Sequence, residues 1–243
     1  MTENRSANPS SEPRIVHRTD DWLVVNKPSG WHTVAQRGGD AQCIETWLRG
    51  NVPEVAACEE AGLVHRLDFG TSGCLVVALS APVQQRLRQA FASADPMGIR
   101  KTYLALARSG LKTTGEFRLY FASRYKGSAK VTVRDKGERH ERGECTWRVL
   151  GPSAIPGHER VEVHLIGPGR RHQIRAGLAY LGHPLFGDAL YGSDGASAHA
   201  VDSQSTANPH SPALHAWRVV VGGVEVECES EAFATPSSPT LDS

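Results

Sequence analysis

Residues 62–93 read GLVHRLDFGTSGCLVVALSAPVQQRLRQAFAS. The unbroken apolar run Leu75–Leu79 predicts a buried strand. Ser80 stands where a helix N-cap belongs. Val83, Leu87, Ala90 and Phe91 fall on one helical face, so a helix is predicted through about Ser93. Ahead of the strand, one acid, Asp68, sits between Arg66 and a run of Gly, Thr and Ser. Gly70 and Gly73 permit tight turns, and Thr71 and Ser72 offer hydroxyls that can fix the loop. The strand ties the loop to the core, so Asp68 is held at a sheet edge within reach of a substrate. A salt-bridged turn acid is compatible with the same residues.

On the N-terminal side, IVHRTDDWLVVNKPSG (15–30) reads as a strand, a turn at Asp20-Asp21, a second strand over Leu23–Val25 and a turn at Pro28-Ser29-Gly30. A short helix is expected over 41–50. On the C-terminal side, alternation in KTYLALA sets Leu104 and Leu106 against Tyr103 and Ala105, with Tyr103 on the polar face. GEFRLYFAS, ECTWRVL and RVEVHLI are further strands. His172–Leu181 reads as a helix with Ile174, Leu178 and Leu181 on one face, ended by Gly182 and Pro184. Trp217–Val221, Gly222-Gly223 and Val224–Cys228 form a hairpin, since Gly-Gly supplies the positive φ of a tight turn. Many strands and few helices without βαβ alternation predict an α+β fold: a mixed, mainly antiparallel sheet with flanking helices. Residues 1–13 and 233–243 are expected to be disordered tails around one domain spanning 14–232, with a flexible polar insertion at 193–212.

Composition narrows the function classes. The 243 residues have a net charge of only +1, yet the basic groups are clustered. Residues 98–112 carry Arg100, Lys101, Arg108 and Lys112 with no acid, and residues 121–142 hold seven Lys/Arg against three acids. Acids gather around Glu54–Glu60 and Glu225–Glu231. Local basic surface on a near-neutral chain suits a polyanion held at a defined place; solvated strand faces would look the same. The five scattered cysteines include no CxxC pair, which fits a reducing compartment. No HExxH or Cys/His cluster has ligand spacing, so no metal is expected. No apolar run reaches bilayer length, and MTENRSANPSSEPR has no hydrophobic segment of a secretory signal.

Two further stretches could carry chemistry. GPGRRHQIR (167–175) brings Arg170, Arg171 and His172 onto the first turns of a helix, where N–H groups and guanidinium forks can hold phosphate. It lacks the third glycine and the βαβ frame of a dinucleotide site. Arg175, one turn in, can reach a carboxylate on another segment. In RKTYLAL, Tyr103 beside Lys101 can stack on a base or hydrogen-bond a reacting atom. His65 and His172 flank the two loops and can meet. There is no GxSxG elbow for a Ser/His/Asp hydrolase. Glu59 and Glu60 read as an exposed polar end, so no second acid is apparent for a glycosidase.

Taken in order, VVNKPSG (24–30), GLVHRLDFGTSG (62–73), RKTYLAL (100–106), GRRHQIRAGLAYLGHPLFGDALYG (169–192) and ALHAWRV (213–219) resemble the RluA-type family of pseudouridine synthases. The similarity extends over roughly residues 15–230. It implies that Asp68 is the nucleophile and that Arg175 pairs with it. Tyr103 would pack on the target base and take part in removing its C5 proton, and Arg66 would enter the RNA near the extruded nucleotide. His65, Lys101, Arg170, Arg171 and His172 are the other expected RNA contacts. No metal or organic cofactor is implied. The partner would be structured rRNA or tRNA, and the enzyme a cytoplasmic monomer of the compact, catalytic-domain-only type. Phe69, Pro168, Arg171 and Ala176-Gly177 depart from the usual pattern and bear on substrate preference. A non-catalytic RNA-binding protein and a hydrolase releasing the base remain alternatives.

Overall fold

The computed structural model describes residues 12–36, 42–93, 98–123, 125, 127–192 and 211–233. Its strands are β1 (Arg14–Arg18), β2 (Trp22–Lys27), β3 (Ser72–Ala78), β4 (Arg100–Arg108), β5 (Thr114–Ser123), β6 (Val131–Arg134), β7 (Arg142–Pro152), β8 (His158–Ile166), β9 (Leu214–Val221) and β10 (Val224–Glu227). The helices are α1 (Ile44–Asn51), α2 (Ala81–Ala92) and α3 (Gln173–Tyr180). The strands form one sheet in the order β1-β2-β3-β9-β4-β8-β7-β5-β6, with β10 paired to β9. Among these strands only β3 and β9 pair in parallel, giving the mixed, mainly antiparallel sheet expected. None of the described helices is long and apolar enough to cross a membrane.

Both faces of the central strands are covered, which explains the unbroken apolar run of β3. Leu75 and Val77 join Leu23 and Val25 in the main core. Cys74, Val76 and Ala78 face the other way, against Val83, Leu87 and Phe91 of α2. The same double coverage corrects one expectation. Tyr103 does not lie on a polar face; with Ala105 and Ala107 it belongs to the main core and is 8% exposed. Leu106 on the opposite face packs with Phe186 and Phe233.

Several local expectations differ in detail. Ser80 occupies the N-cap of α2 in extended conformation, but its side chain makes no capping hydrogen bond. Helix α3 starts at Gln173, because His172 takes a left-handed φ of 55°. Leu181 lies beyond its last turn and is exposed. The helix closes through Gly182 N–H to Ala179 O and His183 N–H to Leu178 O. The short strand β6 was not anticipated. Pro13 and Phe233, assigned to the tails, are buried, and Phe233 stacks on His215. Ser211 and Pro212, assigned to the insertion, pack on Gly70. Glu12, also assigned to a tail, is exposed; residues 1–11, 193–210 and 234–243 lie outside the described residues.

The parallel seam positions the acid loop. Ser72 faces His215 and Gly73 faces Ala216 across it. A Cβ on Gly73, at φ +106°, would stand 2.2 Å from Ala216 O, so the two strands meet this closely only with glycine there. Ser72 Oγ donates to His215 Nδ1 at 2.8 Å, and His215 Nε2 donates to Cys228 O at 2.6 Å.

Candidate active site

The loop carrying Asp68 leaves the N-terminal end of β3 and is held from below by residues distant in sequence. Thr33 Oγ1 donates to Leu67 O at 2.7 Å and accepts from Leu67 N–H at 3.1 Å. Lys27 is fully buried, and its ammonium donates to Pro28 O, Trp31 O and Phe69 O at 3.0, 2.7 and 3.2 Å. Burial pushes its pKa down to about 7, against the pull of the Asp68 charge. Ser29 Oγ donates to Gly70 O at 2.9 Å. The VVNKPSG turn is therefore the bed on which the acid loop rests. Thr33→Val strips both buried polar groups of Leu67 of their partner and is expected to cost roughly 1–3 kcal/mol. Urea unfolding measures this; an unchanged midpoint would contradict the clamp.

Arg175 sits 3.2 Å from Asp68 Oδ2 through Nη1. Its Nε and Nη2 grip both oxygens of Asp188 at 2.8 and 2.9 Å. The Asp188 side chain is 0% exposed and also accepts the N–H groups of Leu190 and Tyr191. One face of the guanidinium is thus fixed by a bidentate fork, and an outer N–H is aimed at Asp68. His172 Nε2 lies 3.8 Å from Asp68 Oδ1. Its Nδ1 is 2.8 Å from the Tyr191 hydroxyl, which itself accepts Val131 N–H at 2.9 Å. The Tyr191 hydroxyl hydrogen is free to donate to Nδ1, and in that tautomer the neutral ring carries its proton on Nε2, facing the carboxylate. Burial lowers the His172 pKa, with Asp68 opposing.

All nine residues expected from the sequence to form the site line one cavity of about 930 Å³. Arg66, Arg88, Lys101, Arg170, Arg171 and Arg175 give it cationic walls, and among the described residues Asp68 is the one carboxylate in its lining. Tyr103 lines it with a buried phenol whose pKa is pushed up, first by burial and then by the Asp68 charge. Arg66 is 61% exposed and paired with Glu60. Arg170 Nε donates to Arg142 O, and Arg171 Nη2 donates to Ala129 O, each at 2.9 Å. Thr71 Oγ1 is buried in the lining with no hydrogen-bond partner among the described residues.

Burial sets the surroundings of two of the expected RNA contacts, Lys101 and His65, and the two histidines that the sequence allows to meet stay apart. Lys101 is not a free cation: its Nζ donates to Gly167 O at 2.8 Å, and burial lowers its pKa to about 8. His65 does not pair with His172. Its Nε2 accepts Val76 N–H at 3.0 Å, and its ring stacks on Phe91. Burial, helped by Lys101, pushes its pKa down from 6.5 to about 3. An unfolded histidine takes its proton near 6.5, so this group's stabilisation is complete above that pH and is lost as pH falls toward 3. His65→Gln keeps an acceptor for Val76 N–H and is expected to flatten the fall of Tm across that window. Melting curves at successive pH values check this; an unaltered slope would contradict it.

Asp188, Tyr191, Thr33 and Lys27 were not singled out from the sequence. Lys27, Asp188 and Tyr191 lie inside the quoted stretches VVNKPSG and FGDALYG, where a lone Lys before Pro and a lone Asp after Gly were the available signals. Glu59 and Glu60 are not merely a polar end: they pair with Arg88, and Glu60 holds Arg66. Among the described residues no group of three His, Cys, Asp or Glu is placed to hold a metal ion.

The architecture is that of an RNA pseudouridylate synthase domain. Two solved human proteins share it. RNA Pseudouridylate Synthase Domain Containing 4 aligns with a TM-score of 0.65 and 19% identity, covering 88% of this chain and 87% of that one. RNA Pseudouridylate Synthase Domain Containing 1 aligns at 0.64 and 23% identity, covering 97% and 88%. A profile of the family described as RNA pseudouridylate synthase matches residues 21–180, and the chain belongs to that family. Among its relatives, Ribosomal large subunit pseudouridine synthase D of Vibrio vulnificus is 35% identical over 189 residues, 73% of this chain and 52% of the relative. The protein of that name from Yersinia pestis is 31% identical over 178 residues, again 73% and 52%. The chain spans about half the length of these curated relatives.

Proposed function

We propose that the protein isomerises uridine to pseudouridine in rRNA or tRNA, with Asp68 as nucleophile. The observation that carries this reading is a carboxylate, the one among the described residues that line a cationic cavity, addressed by an arginine that a second, buried acid holds in place. The reaction breaks N1–C1′, turns the base and joins C5 to C1′; a proton leaves C5 and one is gained at N1, so the formula is unchanged. Asp68 supplies a covalent tether to the pyrimidine or its sugar while the base turns. The target base must first leave its stack and enter the cavity. Arg66, Arg170 and Arg171 hold flanking phosphates, while His65 and Lys101 form the wall. The Arg66–Glu60 pair is largely exposed and so is readily exchanged for a phosphate.

Tyr103 packs on the flipped base. Its phenol keeps its proton in the resting site, because burial and the Asp68 charge both oppose phenolate. Covalent engagement of Asp68 passes the negative charge to the pyrimidine. Tyr103 then accepts the C5 proton only as it gives up its own phenolic proton, and N1, which gains a proton in the net reaction, is where that proton ends. The same reading makes the enzyme a cytoplasmic monomer that needs neither metal nor organic cofactor, with residues 14–232 and the buried Pro13 and Phe233 in its catalytic domain.

Large-subunit rRNA and unmodified tRNA transcripts labelled with 5-[3H]uridine test the proposal. Tritium release with unchanged RNA mass is expected. Base release would lower the mass and favour a hydrolase, and binding without release would favour a non-catalytic RNA-binding protein.

A further inference from the structure

A second cavity, of about 530 Å³, lies on the other side of the acid loop, lined by Ser29, Gly30, Gly70, Leu190, Ser211 and Pro212 among others. Four residues line both cavities: Asp68, Phe69, His172 and Arg175. Three of these have largely covered side chains, at 25%, 12% and 7% exposure for Asp68, His172 and Arg175. Phe69 is 52% exposed. Phe69 is thus the exposed member of the rim that the two cavities share.

One exposed apolar side chain on a surface needs no special account. Phe69 differs in how it is held. Its carbonyl accepts Gly30 N–H at 2.9 Å and the buried Lys27 ammonium at 3.2 Å, so its backbone is pinned. The His32 ring lies against it, with centroids 4.6 Å apart and planes inclined by 43°. The ring is thus braced on one side and open on the other, directly after Asp68 in the chain. A rigid, half-exposed aromatic flanked by guanidinium groups is the construction that binds a nucleobase by stacking, tolerant of which base it is.

We infer that Phe69, braced by His32, is a stacking platform for the nucleotide next to the target uridine, on the ridge between the two cavities. This rests on the proposed RNA isomerase reading. Stacking there replaces the neighbour the strand loses when the target base is withdrawn, which favours the extruded state. Phe69 is then a residue that positions the RNA and shapes substrate preference, and it takes no part in bond making.

The probe is a single-stranded 12-mer RNA with one central 5-fluorouridine, in one form flanked by bases and in another flanked by abasic residues. Phe69→Ala is expected to weaken binding of the base-flanked RNA roughly 5- to 150-fold. Its salt dependence should stay that of the wild type, since no phosphate contact is lost. Phe69→Trp is expected to restore binding. On the abasic-flanked RNA, Phe69→Ala is expected to change nothing. Equal weakening on both RNAs, or a reduced salt slope, overturns the platform. A wild type that isomerises uridine while Phe69→Ala binds both RNAs normally overturns the platform alone. A wild type that neither binds nor isomerises RNA overturns the reading beneath it.

Discussion

Asp68→Asn is expected to stop isomerisation and leave RNA binding intact. The substitution keeps the shape of the side chain and an oxygen able to accept the Arg175 N–H, so the 3.2 Å contact has a replacement. What disappears is the anion. An amide cannot form the covalent tether, and among the described residues no other carboxylate lines the cavity. Removing the nucleophile from a site that otherwise retains its geometry costs on the order of 10⁴-fold or more in turnover. The cationic walls remain and lose the counter-charge of Asp68, so affinity for RNA should be equal or higher. Tritium release and filter binding on the same RNA separate the two effects. Release at the wild-type rate by Asp68→Asn would contradict the assignment, as would loss of binding in a folded variant.

The second large effect is on stability. Arg175→Ala leaves Asp188 with its two backbone N–H partners but no positive charge, at a position with no solvent exposure. Breaking a buried pair from one side costs about 3–5 kcal/mol. For a domain of this size each kcal/mol lowers Tm by roughly 2–4 °C, so a fall of about 6–20 °C is expected. Asp68 loses its partner at the same time, so residual activity should drop even below the melting range. Arg175→Lys restores the charge without the fork and should recover stability in part but not orientation. An Arg175→Ala variant with unchanged Tm and unchanged turnover would contradict both roles of the arginine.

Much of the fold is legible because its signals are local. The run Leu75–Leu79, the apolar face of α2 and the Gly222-Gly223 turn each follow from residues within a few positions of one another. Alternation in β4 separates Tyr103 from Leu104 correctly. It does not say whether a face is covered, and coverage from both sides put Tyr103 in the core. The members of the site are legible as types, but the wiring between them is not. The fork of Arg175 on Asp188 depends on how the segment after α3 folds back. The Thr33 clamp spans 34 positions and the Lys27 bond to Phe69 spans 42. Nothing in the spacing of these residues encodes such contacts. The histidines show the converse: His65 has the chemistry of a contact residue, and packing against Phe91 turns it into a neutral wall.

A crystal structure of the protein with an RNA oligomer carrying 5-fluorouridine tests the central assignment most directly. The expected density shows the fluorinated ring or its sugar in the 930 Å³ cavity, against Tyr103 and joined to or touching Asp68. A nucleotide bound elsewhere, with Asp68 still closed on Arg175 and no ring near it, would contradict it.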